Sequence, residues 1–365
     1  MNAPQEDIRN AQTLGSAFYL RQDYLEESKK KIFLKSWHWA ERRREMNPLH
    51  TVFPQLLMEG FLDEPYILTV PEYSAKPIAL SNVCTHRAAL ISQSPSAVSK
   101  LICPYHGRQF DLKGNFKFMP GFEEAENFPR ECENLHSFSL EEWEGIYFIS
   151  PDPAMNFSDW IRPVKERMSF FPMDQLYLES SLSREYLVKA HWALYCDNYL
   201  EGFHIPFVHP GLAQSLDYKN YRDEIFPWGT LQIGIAKSGE LCFDLPSESP
   251  DYGQNIAGYY FWLYPNLMLN FYPWGLSVNI VKPLRENLSK VEYKIFVWKP
   301  EYLGKGAGAD LDKVEREDEG VVESVQKGLH SAYYPGGRFS PNKEPGVHHF
   351  HRLLAQSMGF NCPTS

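Results

Sequence analysis

Four residues constrain this chain more than any others. Cys84-Thr85-His86 is followed, sixteen residues later, by Cys103-Pro104-Tyr105-His106. Two such Cys/His pairs can meet at one metal only if the chain brings two loops side by side, which short flanking strands achieve. Each pair mixes a soft sulfur with an imidazole, so the centre they build has two unlike ends. One candidate is a structural zinc site, which also accepts two Cys and two His, although its ligands are usually spaced by two to four residues. The other is a [2Fe–2S] cluster in which two His replace two Cys on one iron.

The remaining sequence bounds what such a centre serves. With 365 residues the chain is expected to form two domains, each able to bury its own core. Its net charge of −10 argues against nucleic acid as a partner, because phosphates call for a basic surface. The start, MNAPQEDIRNAQTLG, is polar, and no apolar run is long enough to span a membrane. No membrane association is expected, and the reducing cytoplasm is the expected compartment, where clustered Cys are metal ligands rather than disulfides. The 9 Trp, 21 Tyr and 24 Phe suit large cores and flat-walled pockets.

Along the chain, residues 16–46 read as helical, with 24–46 charged and amphipathic. Short β-rich runs at 66–70, 77–82, 100–103 and 145–149 are broken by Gly, Pro, Asn and Ser and read as a small all-β domain. Helical texture returns over 156–210. Strand-like runs at 229–235, 257–263, 267–272, 276–283 and 290–298 then suit an antiparallel sheet. An amphipathic helix over about 312–330 and a second helix near 346–358 follow. The fold class is α+β. The domains are expected at 43–155 and 156–365, with residues 1–42 packed on the second.

Two further clusters bear on chemistry. Read as a helix, the segment around 191–204 places Trp192, Tyr195, Tyr199 and Phe203 on one face and Asp197, Asn198, Glu201 and His204 on the other. Pro206 is expected to end or kink it, so that His209 can turn back towards His204. A polar face opposite an aromatic one is equally what a solvated helix shows. In the 312–330 helix, Asp318 falls within the apolar stripe of Val314, Val321, Val322, Val325 and Leu329, while Glu315, Glu317 and Glu319 fall at or beyond its edge. A carboxylate turned into a core needs a cationic partner or a metal. Two His and one carboxylate with open positions form the facial triad of non-haem Fe(II) oxygenases. His348, His349 and His351 read as a helix surface.

These motifs, taken in order, resemble the Rieske ring-hydroxylating oxygenases, catalytic α subunit. The first motif carries the family's flanks, His86-Arg87 and Cys103-Pro104-Tyr105-His106-Gly107. The second, Asn198-x-x-Glu201-x-x-His204-x4-His209, follows the family pattern Asn-x-x-Asp/Glu-x-x-His-x4-His. The resemblance implies a small all-β Rieske [2Fe–2S] domain followed by a helix-grip catalytic domain. Cys84 and Cys103 would hold one cluster iron, and His86 and His106 the other. His204, His209 and Asp318 would hold a mononuclear Fe(II), the family's third ligand being an Asp at the start of a C-terminal helix. Arg108 stands where many members carry Trp, and Ala190-His191-Trp192-Ala193 where many read Asn-Trp-Lys.

Glu201 in place of the Asp of naphthalene-type enzymes resembles the branch acting on choline, carnitine or betaines. So does the tail, with Glu317-Asp318, 324–329, 344–346 and 349–353. That branch would use O2 to hydroxylate a C–H bond beside nitrogen on a small methylated amine, with loss of formaldehyde or oxidation of a side chain. An aromatic-ring hydroxylase and a Rieske electron carrier without catalysis are the alternatives. Gly304-x-Gly306-x-Gly308 lacks the spacing and strand–helix frame of a dinucleotide site, so NAD(P)H would act only through a separate reductase. The family assembles as head-to-tail homotrimers. The resemblance thus implies that Glu201, with Asn198 beside it, links His204 to the His106 of a neighbouring subunit.

Overall fold

The computed structural model describes residues 1–71 and 76–361; residues 72–75 and 362–365, which fall within the two expected domains, lie outside the described residues. The chain divides into two compact units, Leu34–Ala154 and the combination of Met1–Phe33 with Met155–Ser365.

The smaller unit holds β1 (His38–Arg42), β2 (Val52–Leu57), β3 (Glu64–Thr69), β4 (Ile78–Ser81), β5 (Leu101–Ile102), β6 (Gln109–Phe110), β7 (Phe116–Phe118), β8 (Ser137–Trp143) and β9 (Ile146–Ser150). Six of them form a sheet in the order β1-β9-β8-β4-β3-β2, and β5-β6-β7 form a second. The helical reading of 16–46 holds only as far as α1 (Ser16–Leu20) and α2 (Gln22–Lys31), which belong to the larger unit. Beyond them β1 pairs antiparallel with β9, a strand buried at every position. Residues 34–42 therefore fold with the small unit and not, as the sequence reads, with the catalytic one.

The larger unit is built on β10 (Tyr177–Leu178), β11 (Arg184–Val188), β12 (Arg222–Phe226), β13 (Gly229–Ile235), β14 (Ile256–Leu263), β15 (Leu267–Tyr272), β16 (Gly275–Arg285) and β17 (Leu288–Val297). The sheet runs β10-β17-β16-β15-β14-β13-β12, with β11 also on β17, and its pairs are antiparallel. Strands β10 and β11 interrupt the helical texture expected over 156–210. The helices here are α3 (Phe157–Arg167), α4 (Trp192–Tyr199), α5 (Ile205–Val208), α6 (Leu212–Ser215), α7 (Leu311–Gly328) and α8 (Pro345–Met358).

Helix α4 lies against α7 and β16, which sets the site. Gly346, at the start of α8, passes close to the end of α4: a Cβ there would come within 2.5 Å of the Leu200 carbonyl oxygen. Helix α8 is more deeply set than its histidines implied. His348 and His351 are buried, at 7% and 2% exposure. His351 Nδ1 accepts from Leu14 N–H, so Nε2 carries the proton and donates to Asp197, 2.9 Å away. Polar groups paired in this way are what let imidazoles enter a core.

Candidate active site

The two loops of the small unit repeat one turn. After β4, Cys84 N–H donates to Ala89 and its carbonyl accepts from Ala88 N–H; between β5 and β6, Cys103 N–H donates to Arg108 and its carbonyl accepts from Gly107 N–H. The residue four after each Cys takes the left-handed conformation, φ 56° at Ala88 and 72° at Gly107. These matching turns present Cys84 and Cys103 inward, each 2% exposed, and within side-chain hydrogen-bonding reach of each other. Burial pushes the Cys84 thiol up, and the Cys103 thiol adds to the shift. His86 and His106 lie further out, ring against ring with centroids 4.8 Å apart. A buried sulfur end and an outer imidazole end are the donor set of a Rieske cluster, and the four residues fit one.

Arg108 is 1% exposed and pairs with Glu133 at 2.5 Å. Its guanidinium lies over the Phe116 ring at 4.8 Å. The Glu133 carbonyl in turn accepts the Thr85 hydroxyl at 2.9 Å. The pair thus ties the Cys103–His106 loop to the residue between Cys84 and His86.

In the larger unit, α4 ends at Tyr199, before Glu201 and well before Pro206, which instead opens α5. Asp197 consequently turns away from the site, to Tyr19 and His351. His204 and His209 flank the single turn of α5. Asp318 reaches them from within α7, seven residues after its first residue rather than at its start. One ligand atom from each of the three lies within 4.8 Å of the others. His209 Nε2 is 2.9 Å and His204 Nε2 3.4 Å from Asp318 Oδ1.

Each outward ring nitrogen meets a carboxylate: His204 Nδ1 lies 2.7 Å from Glu201 and His209 Nδ1 2.8 Å from Glu317. Asn198 donates to Asp318 Oδ1 at 2.6 Å. Two imidazoles with Nε2 turned inward and Nδ1 held by carboxylates, beside one carboxylate, match the outer bonding of metal-binding histidines. The donors fit a divalent iron with positions left open.

These groups open onto a pocket whose lining includes Tyr195, Tyr199, Tyr221, Tyr260 and Tyr272. Glu315 also lines it, although the sequence places that residue at the edge of the helix's apolar stripe. The stripe is rotated: Val325 is 43% exposed, and the buried positions are Val322, Gln326 and Leu329. Glu315 accepts hydrogen bonds from Tyr195 and Tyr293. Burial first, and the Asp318 charge second, push its carboxyl up to about 7. Burial likewise holds both tyrosines well above their usual range, so they remain donors.

Comparison with known proteins finds counterparts for both units. Residues 51–129 match the Rieske [2Fe-2S] domain and residues 173–359 the ring hydroxylating alpha subunit (catalytic domain). The chain is 30% identical to the carnitine monooxygenase oxygenase subunit of Escherichia coli K12 over 97% of its own length and 94% of that protein. It is 28% identical to the chloroplastic choline monooxygenase of Arabidopsis thaliana, covering 97% of this chain and 85% of that one. The solved structure of the quaternary ammonium Rieske monooxygenase CntA in complex with L-carnitine superposes with a TM-score of 0.74 at 25% identity, covering 98% and 99% of the two chains. A naphthalene 1,2-dioxygenase from Rhodococcus, at 16% identity and TM-score 0.68 over 95% and 94%, shares the fold. The small β unit and the larger sheet thus have their counterparts in one family, and this chain belongs to it: the Rieske oxygenases with a ring-hydroxylating-type catalytic α subunit, an oxidoreductase family that carries a [2Fe–2S] cluster and a mononuclear iron.

Proposed function

We propose that this chain is the oxygenase component of a monooxygenase that hydroxylates a C–H bond beside nitrogen on a small methylated, quaternary amine. One observation carries the reading: the His204, His209 and Asp318 group opens onto a pocket walled by tyrosines. Aromatic faces attract alkylammonium ions through their quadrupoles. The choline and carnitine monooxygenases among its relatives point the same way. The aromatic-ring alternative has behind it the ring-hydroxylating domain model and a fold likeness at 16% identity, whereas the choline and carnitine monooxygenases match along nearly the whole chain at 28–30%; the match to a catalytic domain sets aside a bare electron carrier.

In this reading Cys84, His86, Cys103 and His106 hold the cluster, and His204, His209 and Asp318 the iron. The metals supply electron transfer and O2 activation. Overall, O2 takes two electrons and two protons; one oxygen enters the C–H bond and the other leaves as water. The chain's own side chains prepare this. Glu201 and Glu317 fix the orientation of the two imidazoles by holding Nδ1–H, and Asn198 holds one Asp318 oxygen. The tyrosine rings seat the ammonium group and keep bulk water from it.

Electrons come from a separate NAD(P)H-dependent reductase, and the oxygenase works as a homotrimer. A structure of CntA is described in terms of inter-subunit electron transfer. Glu201 then joins His204 to the partner subunit's His106. A cytoplasmic setting goes with this reading, because free thiols persist in a reducing compartment; among the described residues no helix is long and apolar enough to cross a membrane.

The test is turnover of the purified protein with a surrogate reductase, NADH and O2 across methylated amines and aromatic acids. Methylated amines should yield stoichiometric product for the NADH consumed. Product from an aromatic acid, with none from any amine, would reject the proposal.

A further inference from the structure

The charge of the pocket narrows the substrate further. Three carboxylates line it, those of Glu201, Glu315 and Asp318, and among the described lining residues there is neither Lys nor Arg. Two of the three already serve the imidazoles or the metal group. Glu315 does not. It stands one helical turn before Asp318 on the same face of α7, about 4.5 Å along the axis. Its Oε2 is fixed by the hydroxyls of Tyr195 and Tyr293, while Oε1 is left without a protein donor among the described residues. A buried carboxylate with neutral partners only is a costly feature, and a cation brought in by a ligand removes that cost. Two hydroxyls on one oxygen also hold the group in place before anything binds.

We infer that Glu315 is the counter-group for the ammonium of the substrate, and that the substrate is a net cation without a carboxylate, of the choline or tetraalkylammonium class. A betaine or carnitine brings a second group, an anion, into the same pocket, where the carboxylate left uncommitted is that of Glu315. No lysine or arginine of the lining receives it, and like charges in a partly desolvated site repel. The hydroxyl of an amino alcohol meets no such penalty, since it is neutral and the lining offers neutral amides and hydroxyls, among them Asn270 and Ser277. The inference rests on the methylated-amine reading given above and goes beyond it by choosing one charge class.

Titration calorimetry on the purified, metal-loaded oxygenase without reductase tests it, since binding is read apart from turnover. Choline and tetramethylammonium should bind about tenfold or more tighter than glycine betaine and L-carnitine, a difference of ~1.4 kcal/mol or more. Choline should exceed its uncharged carbon analogue, 3,3-dimethylbutan-1-ol, by a similar factor in the unaltered protein. Glu315→Gln keeps the size and an acceptor for both tyrosines; it should remove most of the preference for choline over betaine while iron content stays at the parent level. Betaine or carnitine binding as tightly as choline, or a Glu315→Gln variant that retains the full preference, overturns the assignment and leaves the amine reading intact. Should that variant fail to fold, the two comparisons in the unaltered protein still decide. Binding of an aromatic acid with no binding of any trimethylammonium compound would overturn both.

Discussion

Glu317 Oε2 lies 2.8 Å from His209 Nδ1, on the edge of the ring opposite the nitrogen that faces Asp318. Adjacent residues of one helix thus grip the same imidazole from two sides, one at each nitrogen. Their substitutions should separate. Asp318→Ala should lose the mononuclear iron and all turnover while keeping the cluster's visible spectrum. Glu317→Ala should weaken iron binding by about 10–100-fold without abolishing it. Iron analysis after dialysis reads both, and an Asp318→Ala protein that holds full iron would remove Asp318 from the ligand set.

The proposed four-ligand centre of the small unit has its own signature. Purified anaerobically, the chain should carry two irons and two acid-labile sulfides there. Cys103→Ser should lose sulfide and colour. Stoichiometric zinc without sulfide in the parent protein would refute the cluster assignment.

Glu201→Gln should leave both metal sites filled and the cluster reducible, because the side chain's size is kept. Electron transfer to the mononuclear site should fall to near zero in a single turnover. Analytical ultracentrifugation should show a trimer. Ordinary turnover in the variant, or a monomer active at high dilution, would show that electrons take another path.

Acid stability has an identifiable contributor away from the metals. Asp251 is 2% exposed and bonded to Arg167, Arg222 and Tyr259. Burial alone would raise its carboxyl, but the hydrogen bond and charge of Arg167, with help from Tyr259 and Arg222, outweigh it and hold the group below the usual carboxylate range. The folded state therefore binds this proton less readily than the unfolded chain. The stabilisation is complete above about pH 4 and is lost as pH falls through the folded-state value. Asp251→Asn should flatten the dependence of urea-unfolding stability on pH in that range. An unchanged acid slope in the variant would count against it.

The parts legible in the sequence are those in which local chemistry and tertiary packing agree. Strand β15 coincides with the apolar run 267–272 because every one of its positions is buried, so no face competes with another. The Cys/His pairs stand out because each short spacing falls within one tight turn, and the two turns match. By contrast, 38–42 holds Glu41 and Arg42 and lies in a charged stretch; only pairing with β9 makes it a strand. The roles of Glu315 and Glu317 were hidden for a related reason. Hydrophobicity sets a helix's expected orientation, but α7 turns carboxylates inward because hydroxyls and an imidazole on other elements receive them. No local pattern announces those partners. A small signal was present: tyrosine is unusually frequent in the chain, and buried phenols need acceptors.

The contact between Gly346 and the Leu200 carbonyl bears on how this protein can be recombined with its relatives. Leu200 immediately precedes the Glu201 segment, while Gly346 lies in the first turn of the last helix, so residues far apart in sequence share one tight backbone crossing. A chimera that takes its tail from a parent with any larger residue at that crossing must displace the chain just ahead of Glu201 and His204. Crossover points in a shuffled library should therefore keep 200 and 346 from the same parent, and survivors that separate them should retain glycine at 346.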